Sequence, residues 1–166
     1  IIDDGICFQT RMAICDHDKV VSSLSLQASS FHSYWQVSST QDYCLGLHDD
    51  TNVEFCLAEH QTAGRGRRSK KWQSFFSTGV LFSYRKILPA DFNFSAYALM
   101  LSLEIVDALQ KRFPDLDIGI KWPNDVWLNG KKLLGILVET VPVDEQMLMV
   151  VGVGCNFLCH DGDSMD

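Results

Sequence analysis

Beyond residue 30 the chain reads mostly as strands. Phe31 to Val37 alternates aromatic and polar side chains, the pattern of a strand with one buried face. Val53 to Ala58 and Gly79 to Tyr84 are short apolar runs that suit buried strands, and Asp117 to Trp122 reads as another. Pro123 halts that run, because proline has no N–H to give to a ladder and so marks a turn or an edge. Val126-Trp127-Leu128, Asn129-Gly130 and the apolar run from Leu133 to Val138 give the clearest hairpin signal, Asn-Gly being suited to a tight turn with positive φ. Met147 to Val153 reads as a further buried strand, and the Gly152-x-Gly154 that closes it reads as a turn.

Two helices interrupt this pattern. Ser38-Ser39-Thr40-Gln41-Asp42-Tyr43 supplies side chains that cap a short helix ending near Gly46. The segment from Phe94 to Arg112 is longer: Phe94, Ala98, Leu101, Ile105 and Leu109 recur at helical spacing, with Asn93 available as a cap and Pro114 beyond the end. Strands in the majority, with helices packed on them, predict an α+β domain built on a mixed, largely antiparallel sheet. Residues 1 to 30 add little. Val20-Val21 and Leu24-Ser25-Leu26 suit strands, and Asp16-His17-Asp18-Lys19 reads as a polar turn rather than a metal site.

The 166 residues allow one domain with a single core, and no internal repeat or linker divides them. A net charge of -7 argues against general binding to nucleic acid or a membrane surface. No run approaches the roughly 18 apolar residues of a membrane helix, and residues 1 to 30 lack the layout of a signal peptide, so a cytoplasmic protein is expected. Cys7, Cys15, Cys44, Cys56, Cys155 and Cys159 show no closely paired metal-ligand spacing and are expected to be reduced thiols. A first residue other than Met and a polar tail ending at Asp166 predict a product shortened at its C-terminus.

Against this acidic background one stretch is strongly basic. Between Glu59 and Trp72 lie Arg65, Arg67, Arg68, Lys70 and Lys71, with Gly64 and Gly66 among them. Such a concentration of charge attracts an anion, and arginine offers a fork that fits carboxylate or phosphate. A solvated basic loop, or one touching nucleic acid, has the same composition.

Two further blocks narrow the choice. Lys121-Trp122-Pro123-Asn124-Asp125 precedes Lys131-Lys132-Leu133-Leu134-Gly135-Ile136-Leu137-Val138-Glu139, and Gly152-Val153-Gly154-Cys155-Asn156 follows. In this order, from about residue 31 to 157, the chain resembles the catalytic domain of biotin protein ligases, the holocarboxylase synthetases, with their class II synthetase-like fold. The resemblance implies ATP-dependent conversion of biotin to biotinyl-5'-AMP and transfer to a lysine of a biotin carboxyl carrier domain. It implies Mg²⁺ with the ATP and leaves a homodimer open; no nucleic-acid partner and no membrane are expected.

It also implies roles residue by residue. Lys132, Lys121 and Arg67 fall at catalytic positions, with Lys132 on the reacting oxygens. Ser39, Thr40, Gln61, Gly64, Arg65, Gly135, Leu137 and Gly154 fall at biotin-binding positions, and Arg65 and Arg67 are expected to grip oxygens. Lys70, Trp72, Asn124 and Asn156 join the arginines and lysines around ATP, and Asp125 orients the carrier lysine. The basic loop is expected to close as a lid and to be disordered without ligand.

Several positions depart from the family pattern. Gln41 replaces the commoner Asn, Ser69 a glycine and Lys70 an arginine, and the proline expected after Ser74 is Phe75. Two other readings remain: a lipoate or octanoate transferase on the same scaffold, and a truncated, non-catalytic relative that binds biotin or the carrier.

Overall fold

The computed structural model describes residues 22–23, 30–47, 54–76 and 78–157. The polar turn around His17 and the apolar pairs before residue 27 lie outside these residues, as do Cys7, Cys15, Cys159, Val53 and the C-terminal tail.

Among the described residues, seven strands form one sheet, and two helices pack on it. Strand β1 (Phe31–Val37) leads into helix α1 (Thr40–Gly46), which returns the chain to β2 (Phe55–Gln61). β3 (Gly79–Pro89) precedes helix α2 (Tyr97–Arg112), and β4 (Ile118–Lys121), β5 (Asp125–Leu128), β6 (Lys131–Val143) and β7 (Gln146–Asn156) complete the fold. The order across the sheet is β1-β2-β3-β7-β6-β5-β4. Only β1 and β2 run parallel, joined by the helical crossover that a parallel pair requires; every other pair is antiparallel.

β7 sits between β3 and β6 and is buried on both faces. Its side chains alternate between two clusters, as the period of a strand dictates. Met149, Val151, Val153 and Cys155 join Ile118, Val126, Leu134 and Ile136, and on this cluster α2 lays Phe94, Ala98, Leu101, Ile105 and Leu109, the residues of its predicted stripe. Leu148 and Val150 point the other way, to Val37, Cys44, Cys56 and Ala58 beside α1. The two helices therefore cover opposite faces of the sheet.

Several boundaries differ from the sequence pattern. β3 continues to Pro89, because all of it pairs with β7. Helix α2 starts three residues after Phe94: Asn93 accepts the N–H of Ser95 in the preceding turn, and Ala96 at the N-cap supplies no side-chain bond. The Gly152-x-Gly154 segment is not a turn but strand, paired on both sides as far as Cys155, and its glycines answer a need for space, not for bending. The Asn129-Gly130 hairpin turn is as expected, with φ 50 and 75 at its corners.

Candidate active site

The three central strands set the floor of the site. On the α1 face, one row across β3, β7 and β6 is Leu81, Gly154 and Gly135; the next is Ser83, Gly152 and Leu137; the third is Arg85, Val150 and Glu139. Three glycines and a serine in two adjacent rows leave a trough where other rows carry large side chains. Above it lies a cavity of about 500 Å³, within the range of roughly 300–1,000 Å³ typical of small-molecule sites. Seven cationic side chains line it (Arg65, Arg67, Arg68, Lys70, Lys71, Lys121, Lys132) against the single carboxylate of Asp125. A cleft with that balance holds a positive potential and favours anionic ligands.

The basic segment is folded over this trough as a small hairpin. The Trp72 N–H bonds the Gly64 carbonyl (2.9 Å), Arg65 bridges to Lys71, and the Gly66 N–H bonds the Lys70 carbonyl (2.7 Å). The tip, Arg67–Ser69, turns back through left-handed backbone at Arg68 (φ 55) and Ser69 (φ 60). Both ends of the hairpin are anchored within the fold. Thr62 and Ala63 donate their N–H groups to Val37 and Ser38, and Ser74 exchanges hydrogen bonds with the Gln61 backbone.

Trp72 closes the trough. A Cβ on Gly154 would fall within its indole, and one on Gly135 would lie 2.9 Å from Cζ3. The Trp72 Nε1 is buried without a hydrogen-bond partner, as is Nε1 of Trp127 on the same cavity wall. Buried donors left unpaired are rare and point to a polar ligand as their partner.

The two candidate lysines face the same space from β4 and β6, the strands on either side of β5. Lys132 Nζ is 2.9 Å from Asp125 Oδ2 and 5.3 Å from the centre of the Trp72 ring. Lys121 Nζ stands 4.2 Å above the Trp127 ring. The hairpin register brings them together, since Trp127 pairs with Lys132 while Asp125 pairs with Lys121. Arg67 donates to Asn124 Oδ1 (2.7 Å), and Asn124 is fixed in turn by its amide on the Ile136 carbonyl (2.9 Å).

At the α1 end, Thr40 gives both its N–H (2.7 Å) and its hydroxyl (3.2 Å) to Gln61 Oε1, and shares a 2.9 Å contact with Ser83 Oγ. The first helical N–H is thus taken within the protein. Ser39 is fully buried as the N-cap, accepting from the Asp42 N–H (3.2 Å).

Of the residues singled out from the sequence, the structure brings Thr40, Gln61, Arg65, Arg67, Lys70, Trp72, Lys121, Asn124, Asp125, Lys132, Gly135, Leu137 and Gly154 to one cavity. It leaves three off the wall. Ser39 is behind it, Asn156 lies at the far end of β7 beside Gly79, and Gly64 serves the hairpin, where a Cβ would press on the Trp72 carbonyl at 2.8 Å.

Three wall or support residues carry no site role in the sequence pattern. Gln41 donates to the Val150 carbonyl (3.2 Å) and accepts from Ser83 Oγ (3.2 Å), so close to the trough that a Cβ on Gly152 would lie 2.6 Å from its Oε1. Ser83 is the second. The third, Glu139, takes both terminal nitrogens of Arg65 at 2.9 and 2.8 Å. Burial works against the Glu139 carboxylate, but hydrogen bonds from Arg65 and Gln41 outweigh it and hold its pKa below the usual value. The same contacts, led by the hydrogen bond to Glu139, raise that of Arg65. Spacing carried a signal: Glu139 is on the strand face of Gly135 and Leu137, at steps of two.

A family model described as the biotin/lipoate A/B protein ligase family matches residues 34–156. The chain belongs to that family. It is 34% identical over 123 residues to the bifunctional ligase/repressor BirA of Salmonella typhimurium, a match covering 72% of this chain and 38% of that protein. To the biotin–[acetyl-CoA-carboxylase] ligase of Paracoccus denitrificans it is 39% identical over 130 residues, covering 68% of this chain and 52% of the relative. Among solved structures, the biotin protein ligase from Aquifex aeolicus in complex with biotin and ATP superposes with a TM-score of 0.66 at 29% identity, covering 81% of this chain and 55% of that one. The chain thus spans between 38% and 55% of the length of these three family members.

No group of three or more His, Cys, Asp or Glu side chains gathers to hold a metal among the described residues. Nor is any of their helices long and apolar enough to cross a membrane.

Proposed function

We propose that this chain activates biotin with ATP and passes the acyl group to a lysine of a carboxylase carrier domain. The observation that carries the reading is the combination of a glycine-floored trough with seven cations around it. Two anions must meet for the first step. Two unit charges held 4 Å apart at an effective dielectric of 20 repel by about 4 kcal/mol, so a carboxylate reaches a triphosphate only where fixed cations offset the repulsion.

In the first step a biotin carboxylate oxygen attacks the α-phosphorus of ATP, the bond from that phosphorus to the bridging oxygen breaks, and pyrophosphate leaves. Lys132 stands at the reacting oxygens; Arg67, Lys70 and Lys121 hold the phosphates. Mg²⁺ bound with the ATP would supply further positive charge to offset that of the triphosphate. Thr40 and Gln61 meet the ureido end, and Trp72 and Asn124 border the nucleotide. In the second step the unprotonated amine of the carrier lysine attacks the acyl carbon and AMP leaves. Asp125 Oδ1, buried without a partner, is available to accept a hydrogen bond from that amine. Exclusion of water by the basic hairpin protects the mixed anhydride between the steps.

The relatives support this reading by name: the Aquifex aeolicus protein is a biotin protein ligase complexed with biotin and ATP, and the Paracoccus denitrificans relative is a biotin–[acetyl-CoA-carboxylase] ligase. The test is pyrophosphate release from biotin, ATP and Mg²⁺, with transfer of labelled biotin to a carrier domain followed in parallel. Both signals, and the loss of both in Lys132→Ala, are expected. Binding of biotin with neither signal would make the chain a binding relative, and activity with lipoate or octanoate alone would move it to the sister transferases.

A further inference from the structure

Arg65 lies in the basic hairpin, yet its guanidinium is already committed. Nε donates to Asp42 Oδ1 (2.8 Å), NH1 to Glu139 Oε1 (2.9 Å) and NH2 to Glu139 Oε2 (2.8 Å), with NH2 also 2.6 Å from Asp42 Oδ1. The two carboxylates come from different parts of the fold, Asp42 from the first turn of α1 and Glu139 from β6. Glu139 is braced further by the Gln41 side chain, itself bonded to Ser83 and the Val150 carbonyl. One planar fork therefore ties the hairpin to a helix and to the central sheet, a geometry that a point charge cannot reproduce.

The local charge works against a ligand role. An oxyanion arriving at this guanidinium would meet one cation and two carboxylates at similar range, and repulsion would exceed attraction. Arg67, Lys70, Lys121 and Lys132 have no such pair of carboxylates around them among the described residues. The opposite pKa displacements of Arg65 and Glu139 agree with charges held for each other.

We propose that Arg65 is a positioning residue, a latch that fastens the basic hairpin shut against α1 and β6, and does not itself grip the substrate's oxygens. Closure then depends on Asp42 and Glu139, neither of which lines the cavity. The latch deepens the ligase reading and rests on it for its catalytic consequence: a looser hairpin lets the acyl-adenylate escape or meet water before the carrier arrives.

Hydrogen exchange and coupling together test this on the full chain, using Glu139→Gln, Asp42→Asn and Arg65→Lys. Losing one charged partner is expected to speed amide exchange over residues 62–73 in the ligand-free protein by about tenfold, while the amides of Val126 and Val153 keep wild-type rates. Glu139→Gln is expected to release several times more pyrophosphate per biotin transferred, with the KM for ATP within about twofold of wild type. Arg65→Lys keeps the charge without the fork and should resemble Glu139→Gln. Unchanged exchange in all three variants would overturn the latch. So would a tenfold rise in the KM for ATP with coupling intact, the mark of a direct phosphate contact. A wild type that releases no pyrophosphate sinks the ligase reading instead, and the exchange comparison still decides the latch.

Discussion

Lys132 Nζ sits 2.9 Å from Asp125 Oδ2, and the other oxygen of the same carboxylate is buried without a partner. One side chain thus faces both steps of the proposed reaction, holding the lysine for the first and leaving an acceptor for the second. Removing Lys132 is expected to lower pyrophosphate release by about 100-fold or more, the scale seen when one group that stabilises developing charge is deleted. Asp125→Asn leaves the cation in place, and its effect should fall mainly on transfer. Single-turnover measurement of adenylate formation and of carrier labelling separates the two, and an equal loss in both steps would rule out the divided role.

The trough predicts a sharper steric result. Gly154→Ala places a methyl inside the present position of the Trp72 indole, a side-chain clash that the backbone of β7 need not feel. The variant is expected to fold, with an unchanged circular dichroism spectrum, and to lose biotin binding by at least tenfold in calorimetry. Gly79→Ala is the contrast: its methyl would drive into the Cys155 carbonyl, a clash between backbones of paired strands. That change should lower thermal stability as well as binding.

Ser69 occupies a position where relatives of this type are expected to carry glycine, and its φ of 60 is left-handed. A side chain in that region costs roughly 1–2 kcal/mol relative to glycine, offset in part by the greater freedom of glycine in the open chain. Ser69→Gly should therefore stabilise the hairpin tip by about 0.5–1 kcal/mol, read as slower exchange at residues 66–71. Faster exchange at the tip would mean that the serine hydroxyl outweighs the backbone strain.

Much of this fold was legible in the sequence because local rules govern it. The alternation of Phe31 to Val37 and the cap at Ser39 gave β1 and α1 their boundaries, and the stripe from Phe94 to Leu109 gave α2 its buried face. The candidate site was legible where a motif carries its chemistry on adjacent residues, as in Lys121 to Asp125. What stayed hidden depends on register. Gly152 and Gly154 look like a turn until β7 is seen between β3 and β6, strands that begin 52 residues apart at Gly79 and Lys131. Glu139 and Gln41 meet their partners only across elements far apart in the chain, and α2 starts later than its stripe predicts because Asn93 bonds within its own turn instead.

The ion pair at the base of the hairpin carries a pH dependence whose sign follows from its shifts. The folded pKa of Glu139 lies below its ordinary value of 4.5, so the pair's contribution to stability is complete above that value and is lost as pH falls through the depressed one. Arg65, with its pKa raised, stays charged throughout. The groups that face this carboxylate are Arg65 and Gln41, with Asp42 on the far side of the same guanidinium. Comparing Tm against pH for the wild type and Glu139→Gln isolates the contribution. The wild type should hold a constant advantage from neutrality down to about pH 5, and the two curves should converge below pH 4.5. An advantage that grew with acidity would require Glu139 to bind its proton more tightly in the folded protein. That outcome would contradict the bidentate pairing with Arg65.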